Sequence, residues 1–258
     1  MFLVRRRPEP RRPLRRPPYN PALFVVAPSS VVQSRSDVTS GVNFLDLAFL
    51  SSVTAGNHIM VTQASFGAGH TILTPTDTLL HTYVPMTAEQ SSSNIRLRSF
   101  YVEDIDGGAN TVHFEKSVAG GELSVTIAEI FGLKKSGSLD QTQVGTATGT
   151  AVSSGDITPT EANCFLYGAM THVNNNVGIT EDAADGWTLL QEQIPVSTIS
   201  VATQWKKQGA AALEDADWVL ASSSTWIAHV ASFLEDTGAP MGSGQLLSMG
   251  RNRLVLVT

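Results

Sequence analysis

The 258-residue sequence predicts an all-β protein, with two tandem, similar antiparallel β-sandwich or jelly-roll-like units behind an extended N-terminal arm. Three observations support this fold class. Charged residues make up only 16 % of the chain, while Ser, Thr, Gly, Ala and Val are abundant, which favours short strands and turns. Apolar runs of strand length alternate with glycine- and aspartate-containing turns. The order of these runs then recurs once along the chain.

The chain begins with a basic, proline-rich arm that we assign to residues 1–35. Residues 1–21 hold six prolines, which fix φ, remove backbone donors and favour extended polyproline II geometry. Residues 1–18 carry seven basic residues and one acidic residue, whereas the other 240 residues carry ten basic and 22 acidic ones. Because this arm has no apolar core of its own, we predict that a partner surface orders it.

Arginine side chains are the predicted contacts of the arm, since guanidinium groups form bidentate pairs with carboxylates. Nucleic-acid phosphates are a less favoured partner because no aromatic residues for base stacking are interleaved with the arginines of the arm. A solvated tail without a partner is the remaining alternative. The predicted partner-binding arginines are Arg5, Arg6, Arg7, Arg11, Arg12, Arg15 and Arg16.

The first predicted β-sandwich unit spans residues 36–132. Its apolar runs at 43–50 and 58–66 flank the turn sequence "TAGN". The run at 94–102 alternates, with Ile95 and Leu97 on one face and Arg96 and Arg98 on the other. Glycine-containing turns separate the later runs, which predicts an antiparallel meander.

The second predicted unit spans residues 151–236, after a linker at 133–150. Five elements recur in the same order at a spacing of 102–110 residues, which indicates a tandem duplication. The units form either two packed sandwiches or two halves of one jelly-roll-like sandwich. The strand-like sequence "TQVGTATGTAV" supplies a second opening strand and favours two sandwiches. In one matched pair of strands, the aligned residues are Ile95 with Ile199, Leu97 with Val201, and Tyr101 with Trp205.

The remaining residues, 237–258, form a tail that ends in the β-prone sequence "RLVLVT". An unpaired strand of this kind promotes aggregation, so we predict that it adds to a sheet edge of its own chain or of a neighbour. The predicted contacts of this tail strand are Leu254, Val255, Leu256 and Val257.

The sequence contains no motif for nucleophilic or metal-dependent catalysis, so we predict no enzyme activity, catalytic residue, cofactor or metal site. The sole cysteine, Cys164, lies in an apolar run and is assigned to the core. The four tryptophans are likewise assigned to the core rather than to sugar stacking. His70, in the loop sequence "FGAGHT", is the one histidine that merits a functional test. Three carboxylate clusters fall at predicted turns, where solvated turn roles are favoured over calcium binding: Glu103, Asp104 and Asp106; Glu181, Asp182 and Asp185; Glu214, Asp215 and Asp217.

No apolar run approaches the roughly 20 residues that cross a bilayer, which predicts no membrane partner. The first ten residues place apolar residues before the arginines, the reverse of a signal peptide. We therefore expect a protein that is made in a cytoplasm and that could leave the cell within an assembly.

Three stretches, "ITPTEANCFLYGAMTH", "DGWTLLQEQ" and "STWIAHVASFLE", suggest a family. With them the chain resembles the duplicated β-sandwich, jelly-roll-like structural proteins of tailed-bacteriophage virions. The resemblance is clearest over 150–235 and weaker over 40–132, where Asp77 stands in place of the tryptophan of "GWTLL". It covers neither the arm nor the tail.

The resemblance implies a non-enzymatic virion structural protein, either a capsid decoration (cement) protein, a fibre or a tail-associated component. Arm and tail strand would anchor it to copies of itself and to major capsid or tail proteins. The protein would be made in the host cytoplasm and then reside in the virion. The alternative is a carbohydrate-binding or host-adhesion module that binds a host-surface glycan through the loop at 173–187.

Overall fold

A computed structural model describes residues 28–173, 178–181, 185–193 and 198–237. The described residues form β-strands and contain no α-helix, which confirms the predicted all-β class. Within this part of the chain, no helix is long and apolar enough to cross a membrane.

Fifteen strands are present among the described residues, and most of them coincide with the apolar runs of the sequence. In chain order they are β1 (Ser30–Ser40), β2 (Phe44–Ala48), β3 (His58–Phe66), β4 (Thr76–Asp77), β5 (Val84–Pro85), β6 (Gln90–Ser92), β7 (Ile95–Val102), β8 (Thr111–Glu115), β9 (Glu122–Phe131), β10 (Leu139–Ser153), β11 (Cys164–Val173), β12 (Ile179–Glu181), β13 (Thr188–Gln193), β14 (Ile199–Gln208) and β15 (Asp217–Leu234).

The strands form two six-stranded antiparallel sheets and one three-stranded sheet. The first large sheet has the order β1-β9-β3-β7-β5, with β6 also paired to β7. The second has the order β10-β15-β11-β14-β13, with β12 also paired to β15. Each sheet thus places its opening strand beside its last long strand, so the recurrence in the sequence corresponds to a recurrence in topology.

The long ribbon of β10 and β15 covers both layers of the second unit. It pairs from Leu139 and Phe233 to Ser153 and Asp217, with a register shift near Gly149. A Cβ at Gly145 would overlap the carbonyl oxygen of Ser153, so the ribbon folds back closely on itself. In the first unit, two shorter strands stand in place of each long strand of the ribbon. β1 and β2 correspond to β10, and β8 and β9 correspond to β15.

Two predicted boundaries change in the structure. Residues 139–150 lie within the predicted linker but belong to β10, which confirms the strand predicted from "TQVGTATGTAV" and moves the start of the second unit. Residues 30–35, which it assigned to the arm, belong to β1. Both segments pair with the last long strand of their unit, and the backbone hydrogen bonds gained there outweigh their weak apolar pattern.

Each unit has an apolar core on the outer side of its large sheet. In the first unit, Val61 and Phe100 of the large sheet pack in one cluster with Leu47 and Phe114 of the three-stranded sheet. In the second unit, the folded-back ribbon replaces that small sheet. Trp218 and Leu220 of β15 there join a cluster with Leu166 and Val230.

The inner faces of the two large sheets pack against each other. Ile95 and Leu97 share one buried cluster with Ile199 and Val201, their predicted equivalents in the second unit. A neighbouring cluster combines Met60, Tyr101 and Ala128 of the first unit with Phe165, Tyr167 and Phe233 of the second. The two units therefore pack through equivalent faces, in the manner of a symmetric dimer made from one chain.

Candidate functional site

The predicted partner contacts, from Arg5 to Arg16 in the arm and from Leu254 to Val257 in the tail, lie outside the described residues. The structure does describe where both segments join the folded body. Ser29, at the start, donates hydrogen bonds from its amide and its hydroxyl to Glu235 Oε1, the amide at 3.3 Å. The first and last described residues therefore meet at one end of the body, which we name the anchor pole.

Close backbone packing holds the anchor pole together. Asp236 N donates to Gly132 O at 2.9 Å. Gly132 has a φ of +86°, and a Cβ there would lie 2.9 Å from Ser29 Cα, so this position requires glycine. Lys207 Nζ lies 2.9 Å from Glu235 Oε1 and pairs its charge. Glu235, near the end of the described chain, therefore contacts both Ser29 near its start and Lys207 at the end of β14.

The first carboxylate cluster, also at the anchor pole, serves the turn that follows the first unit. Glu103 Oε1 accepts hydrogen bonds from the Ser138 amide at 2.6 Å and its hydroxyl at 2.7 Å. Asp104 Oδ1 lies 2.9 Å from Lys135 Nζ. These carboxylates therefore bind protein donors, which agrees with the turn interpretation.

Protein donors also bind carboxylates of the third cluster. In the third cluster, Glu214 pairs with Lys206 at 2.6 Å, and Asp215 accepts from Ser153 Oγ at 3.0 Å. Asp182 of the second cluster lies outside the described residues, as do parts of the 173–187 loop of the glycan-binding alternative. Across the described part of the chain, no three His, Cys, Asp or Glu side chains are arranged to hold a metal ion.

A pocket of about 190 Å³ opens at the opposite end of the first unit, which we name the distal pole. His70 lies in its wall with only 2 % of its surface exposed, and its Nε2 is 2.6 Å from Ser65 Oγ. Burial lowers the pKa of His70, and the positive charges of Lys116 and Arg96 lower that pKa further. The residues that line the pocket are Gly67, Ala68, His70, Val118, Ala119, Gly120 and Gly121.

A second serine–histidine pair joins the two units. Ser99 Oγ lies 2.5 Å from His229 Nε2, and Thr62 Oγ1 lies 2.7 Å from both Ser99 Oγ and the Tyr167 hydroxyl. All four residues are fully buried between the large sheets, and burial lowers the pKa of His229 to about 4. Because no substrate can reach Ser99, this network holds the sheets together and is not an active site.

Asp77 is a polar centre that sequence reasoning missed. It replaces the second unit's Trp187, which is 4 % exposed and belongs to that unit's core. Its carboxylate accepts hydrogen bonds from His81 Nδ1 at 2.8 Å, the Tyr83 hydroxyl at 2.9 Å and Asn110 Nδ2 at 2.9 Å. Burial alone would raise the pKa of Asp77, but these hydrogen bonds outweigh it and lower the pKa.

The core assignments of Cys164 and of three tryptophans are confirmed. Cys164 is fully buried, and burial raises the pKa of its thiol to about 11. Trp205 is half-buried and stacks on Phe165 at a centroid distance of 5.5 Å. The buried tryptophans are Trp187, Trp218 and Trp226.

No protein-family model matches this chain, and no curated protein or solved structure matches it.

Proposed function

We propose that this chain is a non-enzymatic structural protein of a tailed-phage-like virion: a capsid decoration (cement) protein, a fibre or a tail-associated component. The observation that carries the proposal is the meeting of Ser29 and Glu235 at the anchor pole. Arm and tail both join the body at that pole, so both can bind the same neighbouring surface. The rest of the body then projects away from the attachment.

The charge distribution favours acidic protein neighbours. Residues 1–27 contain seven Arg and one Glu, and residues 238–258 contain two Arg and no acidic residue. The body at 28–237 contains eight basic and 22 acidic residues, a net charge of −14. Such a body repels nucleic acid, while its basic segments are attracted to copies of itself and to acidic capsid or tail proteins. Two weak tethers that act together at one pole raise the affinity through effective concentration.

Deletion of residues 2–18 tests the proposal. We expect the shortened protein to fold but to lose its place in the particle, because the arm contributes most of the basic tether. Occupancy is measured by quantitative gel analysis of purified particles, and folding by circular dichroism.

Two full-length variants control for arm length and for charge. Seven Arg→Gln changes should reproduce the loss, whereas seven Arg→Lys changes should retain part of the incorporation because the charge persists. Full occupancy by the deletion variant would contradict the proposed role of the arm.

A further inference from the structure

β10 is a long sheet edge that no strand covers within the described part of the chain. It pairs with β15 on one side and is the terminal strand of its sheet on the other. The pairing is continuous from Gln141 to Gly149, between two register shifts. Thr146, Ala147 and Thr148, in this stretch, are exposed. The backbone groups of β10 that point away from β15 can therefore bind a further strand.

The other described edge strands of the two large sheets have features that hinder strand addition. β5, β6 and β12 have only two or three residues each, and β5 includes Pro85. β13 is interrupted by a register shift after Leu189. β1 carries the charge of Arg35, and its Ser36 Oγ donates to Gln191 Oε1 of β13 at 3.0 Å, so β13 covers part of it.

The sequence of β10 lacks these features. Its one charged residue, Asp140, lies at its start, and it contains neither proline nor lysine. Threonine and valine, which favour strands, are frequent in it. A long edge with so little charge promotes association with another strand unless it is already paired. β10 is therefore an open acceptor for a strand.

The chain itself supplies a matching strand, the β-prone sequence "RLVLVT" at 253–258, which lies outside the described residues. Its charge suits the body, because residues 238–258 carry two Arg and no acidic residue, whereas residues 28–237 have a net charge of −14. The tail also joins the body close to β10, since Leu234 N, at the end of β15, donates to Ser138 O at 2.7 Å. Tail and acceptor edge thus begin at the same pole.

The length of chain between body and tail strand favours a neighbouring copy over the same chain. β10 lies directly beside β15, and connections within a compact domain are commonly only about 2–6 residues long. Residues 238–252 form a much longer, glycine-containing spacer. A spacer of about 15 residues spans up to about 50 Å when extended, which is enough to reach a second body.

We propose that the tail strand of one copy, residues 253–258, pairs with the open edge of β10 in a neighbouring copy and so extends that copy's second sheet. The link is head-to-tail, because each copy donates a tail and offers an edge, so repeated links form a ring or a row. This proposal deepens the proposed function by naming the partner of the tail, and it rests on that function only for the role of the link in a particle.

Analytical ultracentrifugation of the full-length protein over a series of concentrations tests the link. We expect self-association that rises with concentration. Leu256→Pro should weaken it by about tenfold or more, because proline in the middle of the tail strand cannot donate to a ladder. Leu247→Pro, the same change in the spacer, is the matched control and should associate as the unmodified chain does.

A peptide with the sequence of residues 250–258 then locates the acceptor. Added to the full-length Leu256→Pro chain, it should slow hydrogen exchange of the amides at 141–149 and leave those of β1 unchanged. A strand at a sheet edge donates only every second amide to its neighbour. N-methylation of peptide residues 254, 256 and 258, or instead of 255 and 257, should therefore weaken binding more than about tenfold in one peptide and less than about twofold in the other.

The inference is wrong if the full-length protein stays monomeric at every concentration, or if Leu256→Pro associates as strongly as the unmodified chain. A monomer whose β10 amides are protected, and lose that protection in Leu256→Pro, would show that each tail covers its own sheet. Protection of β1 instead of β10, or equal binding of the two methylated peptides, would also overturn the proposal. These measurements need no particle, so they are independent of the arm deletion that tests the proposed function.

Discussion

Individual buried polar residues decide how the two units are joined. Thr62, Ser99, Tyr167 and His229 form one hydrogen-bonded chain between the large sheets, in which His229 takes part through Nε2. His229 is neutral there at physiological pH, because burial lowers its pKa to about 4 and no carboxylate accompanies it in the network. The joint between the units is therefore sensitive to acid.

We expect the free energy of unfolding to decrease by up to about 3 kcal/mol as the pH falls from 6.5 to 4, through His229 alone. The unfolded histidine takes up a proton near pH 6.5, whereas the native residue excludes it until about pH 4, so the stability is complete above that window. Urea unfolding across the window measures the decrease. His58, His70 and His172, whose pKa values burial also lowers, add to it with the same sign.

His229→Gln should reduce the pH dependence, because glutamine can bond Ser99 but does not titrate. His113→Gln, on the exposed outer face of β8, is the matched control and should preserve the dependence. An unchanged slope in His229→Gln would show that the acid sensitivity has another origin.

At the scale of the element, the corners between layers depend on glycine. The first unit turns from β8 into β9 at Gly120 and Gly121, both with positive φ. A Cβ at Gly121 would overlap the carbonyl oxygen of Phe66, the last residue of β3. This corner therefore sets both the start of β9 and one wall of the distal pocket.

Gly121→Ala and Gly137→Ala separate backbone strain from steric overlap. Both glycines have a φ of +63°, but a Cβ at Gly137 would meet no atom within 4 Å. We expect a loss of about 1 kcal/mol for Gly137→Ala from strain alone, and of more than about 3 kcal/mol for Gly121→Ala. Denaturant unfolding compares the two variants. Equal losses would mean that the close approach to Phe66 does not limit this corner.

At the scale of the whole molecule, the inner faces of the two units bury each other. Separation of the units would expose both faces and cost stability. Phe165, Tyr167 and Phe233 would leave an apolar surface bare if the second unit stood alone. Hydrogen bonds cross between the units at both ends of the strands, from Ser29 to Glu235 and from the Thr198 amide to the Glu122 carboxylate. The body should therefore behave as one cooperative structure.

We expect a single calorimetric transition, with the van't Hoff enthalpy about equal to the calorimetric enthalpy. Tyr167→Phe removes a hydrogen bond between the units and should lower the free energy of unfolding by about 1–2 kcal/mol. The transition should then move to a lower temperature without splitting. Thr148→Val removes an exposed bond within the second unit and should have little effect. Two separate transitions in the unmodified protein would contradict a shared core.

Local patterns in the sequence predicted much of the fold. Alternation in the run at 94–102 correctly placed Ile95 and Leu97 on a buried face, because a strand turns successive side chains to opposite sides. Glycine-rich turns marked most strand ends. The apolar neighbours of Cys164 correctly predicted that it lies in the core. The same patterns could not reveal Asp77 as a hydrogen-bonding centre, since Asn110, one of its donors, lies on a different element.

The amino-acid sequence by itself determined the all-β class, the recurring order of strands and the separation of charge between basic ends and acidic body. Only the tertiary structure decided that equivalent faces pack together, that β10 takes up most of the predicted linker and that the described chain ends meet at one pole. Periodicity reports which side of a strand is buried, whereas the partner of that side comes from residues far away in the chain, as Ser29 and Glu235 illustrate.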